Sequence, residues 1–422
     1  MNLYIEKIGK IKKADIKING LTLLVGKNDT GKSTFNKLIF SIIESINNYK
    51  IFFSILTKIR IENESFVPLL REYISKATPD DFLNKCMEIQ EDLRLNKKFL
   101  SLDKIIETVN EIENKSKDIK DNKDILAYVS KIKQYKSSRD DCSDKEQFKE
   151  IGTMEIRSVF EHSIINSKHI DDIGKFMIYD NNNINEILMS AKVKNDFLEE
   201  DIILSEKVKA IIFRNVKYIE TPFAIEKDVL IRRETMRDLQ NSISQEIEHF
   251  NDDIALNKTE LDYIQKYILK DAIFSYDKEK KGFIYKVDSS SKPLGMSNIA
   301  SGVKSFALLF SLLKLNIFNK DTLLIIDEPE NHLHPEWQIK YAELIAILVN
   351  DGFSILLSSH NPTFIQALNA YIQKYNIQNK SNFYLMEDIP SENYSIVSDV
   401  TNNMERIYAN LVEPTDRLFA GL

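Results

Sequence analysis

The sequence predicts an α/β protein in which a sheet domain is interrupted by a large, mostly helical insertion. Three observations carry this. The continuous apolar run Leu21-Thr22-Leu23-Leu24-Val25 leads into a glycine-rich loop and then into apolar residues at helical spacing. A second apolar run, Thr322 to Ile326, ends in two acids and is followed by alternating helix and strand patterns. Between these ends the chain is dominated by amphipathic stripes and charged turns.

At the start, Ala14, Ile16 and Ile18 alternate with charged positions, as in a strand with one solvated face. The run from Leu21 to Val25 lacks that alternation and suits a strand buried on both faces. Phe35, Leu38, Ile39, Ile42, Ile43 and Ile46 then mark one side of a helix. From about 50 to 210 helical patterns prevail: Leu102, Ile105, Ile106, Val109 and Ile112 form a stripe, and residues 114–124 read as an exposed turn. Neither stretch keeps a heptad long enough for a coiled-coil arm. Ala210 to Tyr218 reads as a strand, 228–270 as a second helical block, and Phe283 to Val287 as a strand. The last third predicts a helix over Pro335–Val349, a strand over Phe353–Leu357, a helix over Pro362–Tyr371, and short strands near Phe383–Met386 and Tyr394–Val397. The expected organisation is a first head segment at 1–48, an insertion at 49–290, and a second head segment at 291–422.

Composition bounds the function. With 57 Lys+Arg against 64 Asp+Glu the net charge is −7, so no global positive field draws the protein to nucleic acid or an anionic membrane. Cys86 and Cys142 are too few for a disulfide framework or a cysteine zinc site, which fits a reducing cytoplasm. No signal peptide opens the chain, and the longest apolar stretches fall short of the ~20 residues that span a bilayer. The expectation is a cytoplasmic protein without a membrane partner.

Gly26-Lys27-Asn28-Asp29-Thr30-Gly31-Lys32-Ser33 matches the phosphate-binding pattern G-x-x-x-x-G-K-[ST] between a strand and a helix. Glycines let the backbone wrap closely, so that the amides from Asn28 to Thr34 and the helix N-terminus face phosphate oxygens. Lys32 should reach the β- and γ-phosphates, and the Ser33 hydroxyl should hold Mg²⁺. Asp29, unusual in an anion site, should point outward. Asp327, at the carboxyl end of an apolar strand, is the second candidate for Mg²⁺, through water. Glu328 is placed to orient or deprotonate a water attacking the γ-phosphate. Ser301 reads as an N-cap and Gly302 as a point of close approach, at the start of a helix with Val303, Phe306, Ala307, Phe310 and Leu313 inward. His360, between an apolar strand and Pro362, can donate to a γ-phosphate.

These motifs in this order resemble the ABC-type P-loop ATPase heads of the SMC, RecF and overcoming-lysogenization-defect (OLD) proteins. Ile8-Gly9-Lys10-Ile11-Lys12-Lys13-Ala14-Asp15-Ile16, the phosphate loop, Asp327 to Pro335 and Ser358 to Pro362 are most similar to the OLD-related bacterial ATPases. Many of those serve anti-phage systems such as Septu, PARIS and retron operons. The resemblance covers residues 1–48 and 295–400. It implies that Ser301 and Gly302 form a signature loop acting on ATP bound by an opposite subunit, so that a dimer, or an oligomer built from dimers, sandwiches the nucleotide. Ala300, Val303 and Lys304 depart from the usual Leu-Ser-Gly-Gly-Gln, and Lys304 either adds charge in trans or faces solvent. No glutamine could be assigned to the family's Q-loop. Glu330-Asn331-His332 matches the stretch that crosses the interface, although His332 and His334 could also cap the next helix. OLD nucleases carry a metal-binding Toprim domain. Here Glu387, Asp388 and Asp399 read instead as surface acids, so the chain is not expected to be the nuclease itself.

The resemblance thus implies an ATP hydrolase, with ATP and Mg²⁺, that controls a separately encoded nuclease or toxin in phage defence. On that view the insertion dimerises the heads or docks the effector. The alternative is a RecF- or SMC-like DNA clamp, with Lys7, Lys10, Lys12, Lys13 and Lys17 as its basic face.

Overall fold

The computed structural model describes residues 1–66, 68–69, 72, 105–110, 123–161, 164, 169, 172–181, 183, 185–225, 234–249, 258–269, 272–277, 282–288, 290–331 and 333–420. They form two compact units, Met1–Asn47 with Gly152–Leu422, and Asn48–Ile151. In chain order the first strands are β1 (Asn2–Ile8), β2 (Ile11–Lys17) and β3 (Leu21–Gly26), followed by helix α1 (Lys32–Ile61). Helices α2 (Lys123–Asp141) and α3 (Asp144–Val159) precede β4 (Gly174–Tyr179), β5 (Ile187–Lys194), β6 (Phe197–Leu198) and β7 (Ile203–Leu204). Then come α4 (Val208–Ile211), β8 (Asn215–Ile219), α5 (Glu234–His249), α6 (Lys258–Ile264), β9 (Ile273–Asp277), β10 (Gly282–Lys286) and β11 (Leu294–Gly295). The last third holds α7 (Ser301–Lys314), β12 (Thr322–Asp327), α8 (Pro335–Asn350), β13 (Ser354–Ser359), α9 (Pro362–Lys374), β14 (Ser381–Ile389), β15 (Tyr394–Asp399) and α10 (Met404–Ala420).

Twelve of the described strands make one mixed sheet, ordered β6-β5-β4-β1-β2-β15-β14-β3-β13-β12-β8, with β7 on β5. Its site-bearing half, β14-β3-β13-β12-β8, is parallel throughout. Strands buried on both faces need apolar residues at every position, and the run Leu21–Gly26 is wholly buried. In β12 only Asp327, at the carboxyl end, emerges from the core. Parallel strands share one carboxyl edge, so β3, β12 and β13 deliver the phosphate loop, Asp327 and His360 to the same side of the sheet. Helices α7, α8 and α9 pack Phe306, Leu309, Leu344, Leu348, Phe364 and Leu368 into the core against Leu23, Leu324 and Ile355. Each fully buried side chain of this kind contributes ~1.5–3 kcal/mol.

The second unit is helical in its described part. Ile61, Phe66, Leu69, Ile105, Val109, Ile125, Val129 and Ile132 form its core. Ile105 and Val109 of the expected stripe are therefore buried, while Leu102, Ile112 and nearly all of the 114–124 turn lie outside the described residues.

The structure differs from the expected boundaries in one main respect. Residues 174–219 are not part of a helical insertion, because β4 pairs with β1 and β8 pairs with β12 inside the main sheet. The segment that packs apart is Asn48–Ile151, much shorter than 49–290. Antiparallel partners such as Leu3 and Ile178 are far apart in sequence, and no local periodicity encodes that pairing. Likewise, Ala210 to Tyr218 is not one strand: α4 precedes β8.

Candidate active site

The phosphate loop leaves β3 at Gly26 and closes at Lys32, the first residue of α1. A Cβ at Gly26 would stand 2.7 Å from the Met386 carbonyl oxygen and 2.7 Å from Thr30 Oγ1, so only glycine fits between loop and β14. Gly31 has φ +97°, which glycine adopts without strain. Asp29 also has a positive φ, its side chain is 83% exposed, and it pairs with Lys10, so it does point outward. Thr30 is buried and donates to the Lys27 carbonyl at 2.9 Å, bracing the loop. Lys27, Asn28 and Ser33 are exposed, and Gly31 and Thr34 are half-buried. Lys32 is buried, and its Nζ donates to the carbonyls of Gly26 at 2.8 Å and Lys27 at 2.9 Å. Burial lowers the Lys32 pKa against the charges of Glu328, Asp327, Glu330 and Asp388.

Two neighbouring strands and a helix converge on Asp327. Tyr218 of β8 donates to Oδ2 at 3.0 Å, Asn36 of α1 donates to Oδ1 at 3.3 Å, and Ser358 of β13 also donates to Oδ1. Asn36 further donates to Ser358 Oγ at 3.2 Å. None of these three supports was singled out by sequence reasoning. Tyr218 closes a strand-like segment and Ser358 stands inside a quoted motif, but what they touch is set by neighbouring strands.

Glu328 lies in the left-handed region at φ +47°. Its Oε1 accepts from His360 Nδ1 at 2.9 Å and its Oε2 from Asn331 Nδ2 at 2.7 Å. The His360 hydrogen bond is the main reason the Glu328 carboxyl falls to about 2, against burial and with help from Asn331. The same bond raises His360 above its ordinary value, outweighing burial. Asp327 and Glu328 also line a cavity of about 160 Å³ with Glu220, Thr221, Ser305 and Asn331.

The start of α7 differs from its expectation in the cap and in Lys304. Ala300, not Ser301, is the N-cap of α7, and it makes no side-chain capping bond. Ser301 is the first helical residue, its carbonyl accepts from Ser305 Oγ at 3.3 Å, and Gly302 follows it half-buried. Among the described residues no hydrogen bond joins either to the phosphate loop. Lys304 does not face solvent: it is buried, with Nζ 5.1 Å from the Phe223 ring centroid. His334 caps α8, accepting from the Glu336 amide, and His332 lies outside the described residues. Among the acids read as surface groups, Glu387 pairs with Arg406, Asp388 accepts from Ser395 at 2.7 Å, and Asp399 is exposed.

The donor set fits Mg²⁺. Ser33 and Asp327 offer hard oxygens, and an ion that keeps most of its waters and phosphate oxygens needs few protein ligands. Among the described residues no cluster of three or more His, Cys, Asp or Glu could hold a metal by itself, and no helix is long and apolar enough to cross a membrane.

A phosphate loop after one parallel strand, with an Asp-Glu pair ending another strand at the same edge, defines a P-loop nucleoside triphosphatase fold. The chain belongs to the AAA ATPase domain family, which its sequence matches over residues 1–365. A search of the curated proteins finds no match. Among solved structures it is similar to an Smc head bound to the C-winged helix domain of ScpA, at 10% identity and TM-score 0.45, covering 94% of this chain and 97% of that one. The SMC head domain from Thermotoga maritima gives 8%, 0.38, 94% and 98%. An Smc head with an extended coiled coil, bound to the C-terminal domain of ScpA derived from Pyrococcus furiosus, gives 10%, 0.43, 98% and 98%.

Proposed function

We propose that the chain hydrolyses ATP to ADP and phosphate at a site completed by a second copy, and that nucleotide state controls a separately encoded nuclease or toxin in anti-phage defence. The observation that carries the chemistry is the convergence of Lys32, Asp327, Glu328 and His360 at one sheet edge. The regulatory role rests on the motif resemblance to OLD-related ATPases.

The loop amides and the α1 N-terminus bind the triphosphate, and Lys32 exchanges the Gly26 and Lys27 carbonyls for phosphate oxygens. Mg²⁺, when bound, neutralises charge developing on the phosphates, held by Ser33 and through water by Asp327. Tyr218, Asn36 and Ser358 keep the Asp327 carboxylate turned to that position. A carboxylate with a pKa near 2 is a poor base. Glu328 therefore has to part from His360 before it takes a proton from water, and His360 is then released toward the γ-phosphate. Ser301 and Gly302 act on the partner's nucleotide.

The DNA-clamp reading loses support at its expected basic face. Lys7 pairs with Asp172, Lys10 with Asp29 and Lys12 with Glu392, while Lys13 lies over the Tyr4 ring. The ion pairs of Lys7, Lys10 and Lys12 offset part of the local positive field, while Lys13 over its ring keeps its charge. The test is ATP turnover by the purified chain, followed by pull-down of the product of the neighbouring gene with and without ATP. Turnover no faster than that of Lys32→Ala overturns the enzymatic part. Capture that ignores nucleotide overturns the regulatory part.

A further inference from the structure

We infer that Glu330 is a positioning residue of the hydrolytic site, which holds the His360 backbone in the place where its ring meets Glu328. This rests on the reading of Glu328 and His360 given above.

Glu330 is only 3% exposed and lies in the turn that follows β12. Its Oε1 accepts from Ser359 Oγ at 2.6 Å and from the His360 amide at 3.3 Å. Ser359, itself fully buried, accepts from the Asn361 amide at 3.2 Å. Asn361 in turn caps α9 by accepting from the Phe364 amide at 3.1 Å. One carboxyl oxygen thus organises the whole turn from β13 into α9.

The same two turns meet at a second place, where the Glu328 amide donates to the Ser358 carbonyl at 3.0 Å. The His360 ring and the Glu328 carboxyl sit beyond these backbone ties. Two contacts fix a relative position better than one, and Glu330 supplies the contact that involves His360 itself.

Glu330 Oε2 is buried and has no hydrogen-bond partner among the described residues. A fold-stabilising carboxyl in a core satisfies both oxygens or is replaced by an apolar residue, because a bare one costs free energy. Retaining it for Oε1 alone points to placement of His360. The unpartnered oxygen also makes a sharp test, since glutamine can keep the Oε1 contacts while removing any charge.

The experiment compares Glu330→Gln, Glu330→Ala and Ser359→Ala in the full chain. The first readout needs no turnover: ¹⁵N signals of the His360 ring in histidine-labelled, nucleotide-free protein report its hydrogen bond to Glu328. That signature should persist in Glu330→Gln and be lost in Glu330→Ala, with Ser359→Ala between them. The second readout is kinetic. Glu330→Ala should lower kcat by ~10- to 100-fold with KM within about twofold, as a misplacement near 1 Å does, and Glu330→Gln should restore most of it. An unchanged His360 signature in a Glu330→Ala protein that still binds ATP overturns the inference. A lost signature in a protein whose wild type shows no turnover keeps the inference and overturns the catalytic reading instead.

Discussion

His360 Nδ1 stands 2.9 Å from Glu328 Oε1, so the two side chains expected to meet water and γ-phosphate are bonded to each other. Glu328 gives its other oxygen to Asn331. With both oxygens bonded, Glu328 joins His360 and Asn331 in one hydrogen-bonded circuit.

That circuit has a pH signature. Glu328 is depressed from 4.5 to about 2, so its share of stability is present above 4.5 and lost as pH falls through about 2. His360 is raised above 6.5, so its share is present below 6.5 and lost as pH rises through the raised value. Both shares coexist between 4.5 and 6.5. The melting temperature gap between wild type and His360→Gln, measured in nucleotide-free protein, should be widest in that window and close at alkaline pH. A gap that does not vary with pH refutes the pairing.

Glu328→Gln should bind ATP as wild type does and hydrolyse it at least ~10²-fold more slowly, because the amide cannot take a proton from water. Lys32→Ala should lose binding itself. Nucleotide titration beside phosphate release separates the two; wild-type turnover in Glu328→Gln would assign the base elsewhere.

Ser301→Arg probes the shared site. Alone it should bind nucleotide and fail to hydrolyse it; mixed with inactive Lys32→Ala subunits it should recover part of the activity. Recovery requires that the signature loop of one copy serve the phosphate loop of another. Full activity of Ser301→Arg alone rules that out.

Tyr218→Phe removes one donor from Asp327 without changing the shape of β8. Losing the hydrogen bond that the fully buried Tyr218 gives this half-buried carboxylate should lower the unfolding free energy by ~1.5–3 kcal/mol. If Asp327 orients Mg²⁺, the half-saturating Mg²⁺ concentration for turnover should rise as well. Denaturant melts and a Mg²⁺ titration check the two halves independently.

Much of this was legible in the sequence, and what was missed has a common cause. The expected strand at 21–25, the helices opening at Pro335 and Pro362, and the strand ending at Asp327 stand within a residue or two of their places. Continuous apolar runs and proline caps are local signals, readable without partners. Strand β4 is half of a long-range antiparallel ladder with β1, and the residues between 50 and 210 around it are mostly helical in pattern. The motif residues were readable because the loop and the acidic pair are defined by spacing. Tyr218, Asn36 and Glu330 were not, since each acts on an atom contributed by a different element. Lys304 went astray for the same reason, since what lies opposite the start of α7 is not written in α7, while the Ser301 cap was one residue out at a local boundary.

The backbone of Glu328 has a consequence for how this chain can change over generations. A side chain at φ +47° is there at a conformational penalty of order 1 kcal/mol, which glycine avoids and asparagine reduces. At position 328 this penalty is set against the hydrogen bonds that the carboxylate makes to His360 and Asn331. A descendant with glycine there would relieve the backbone and forfeit the carboxylate's tie to His360.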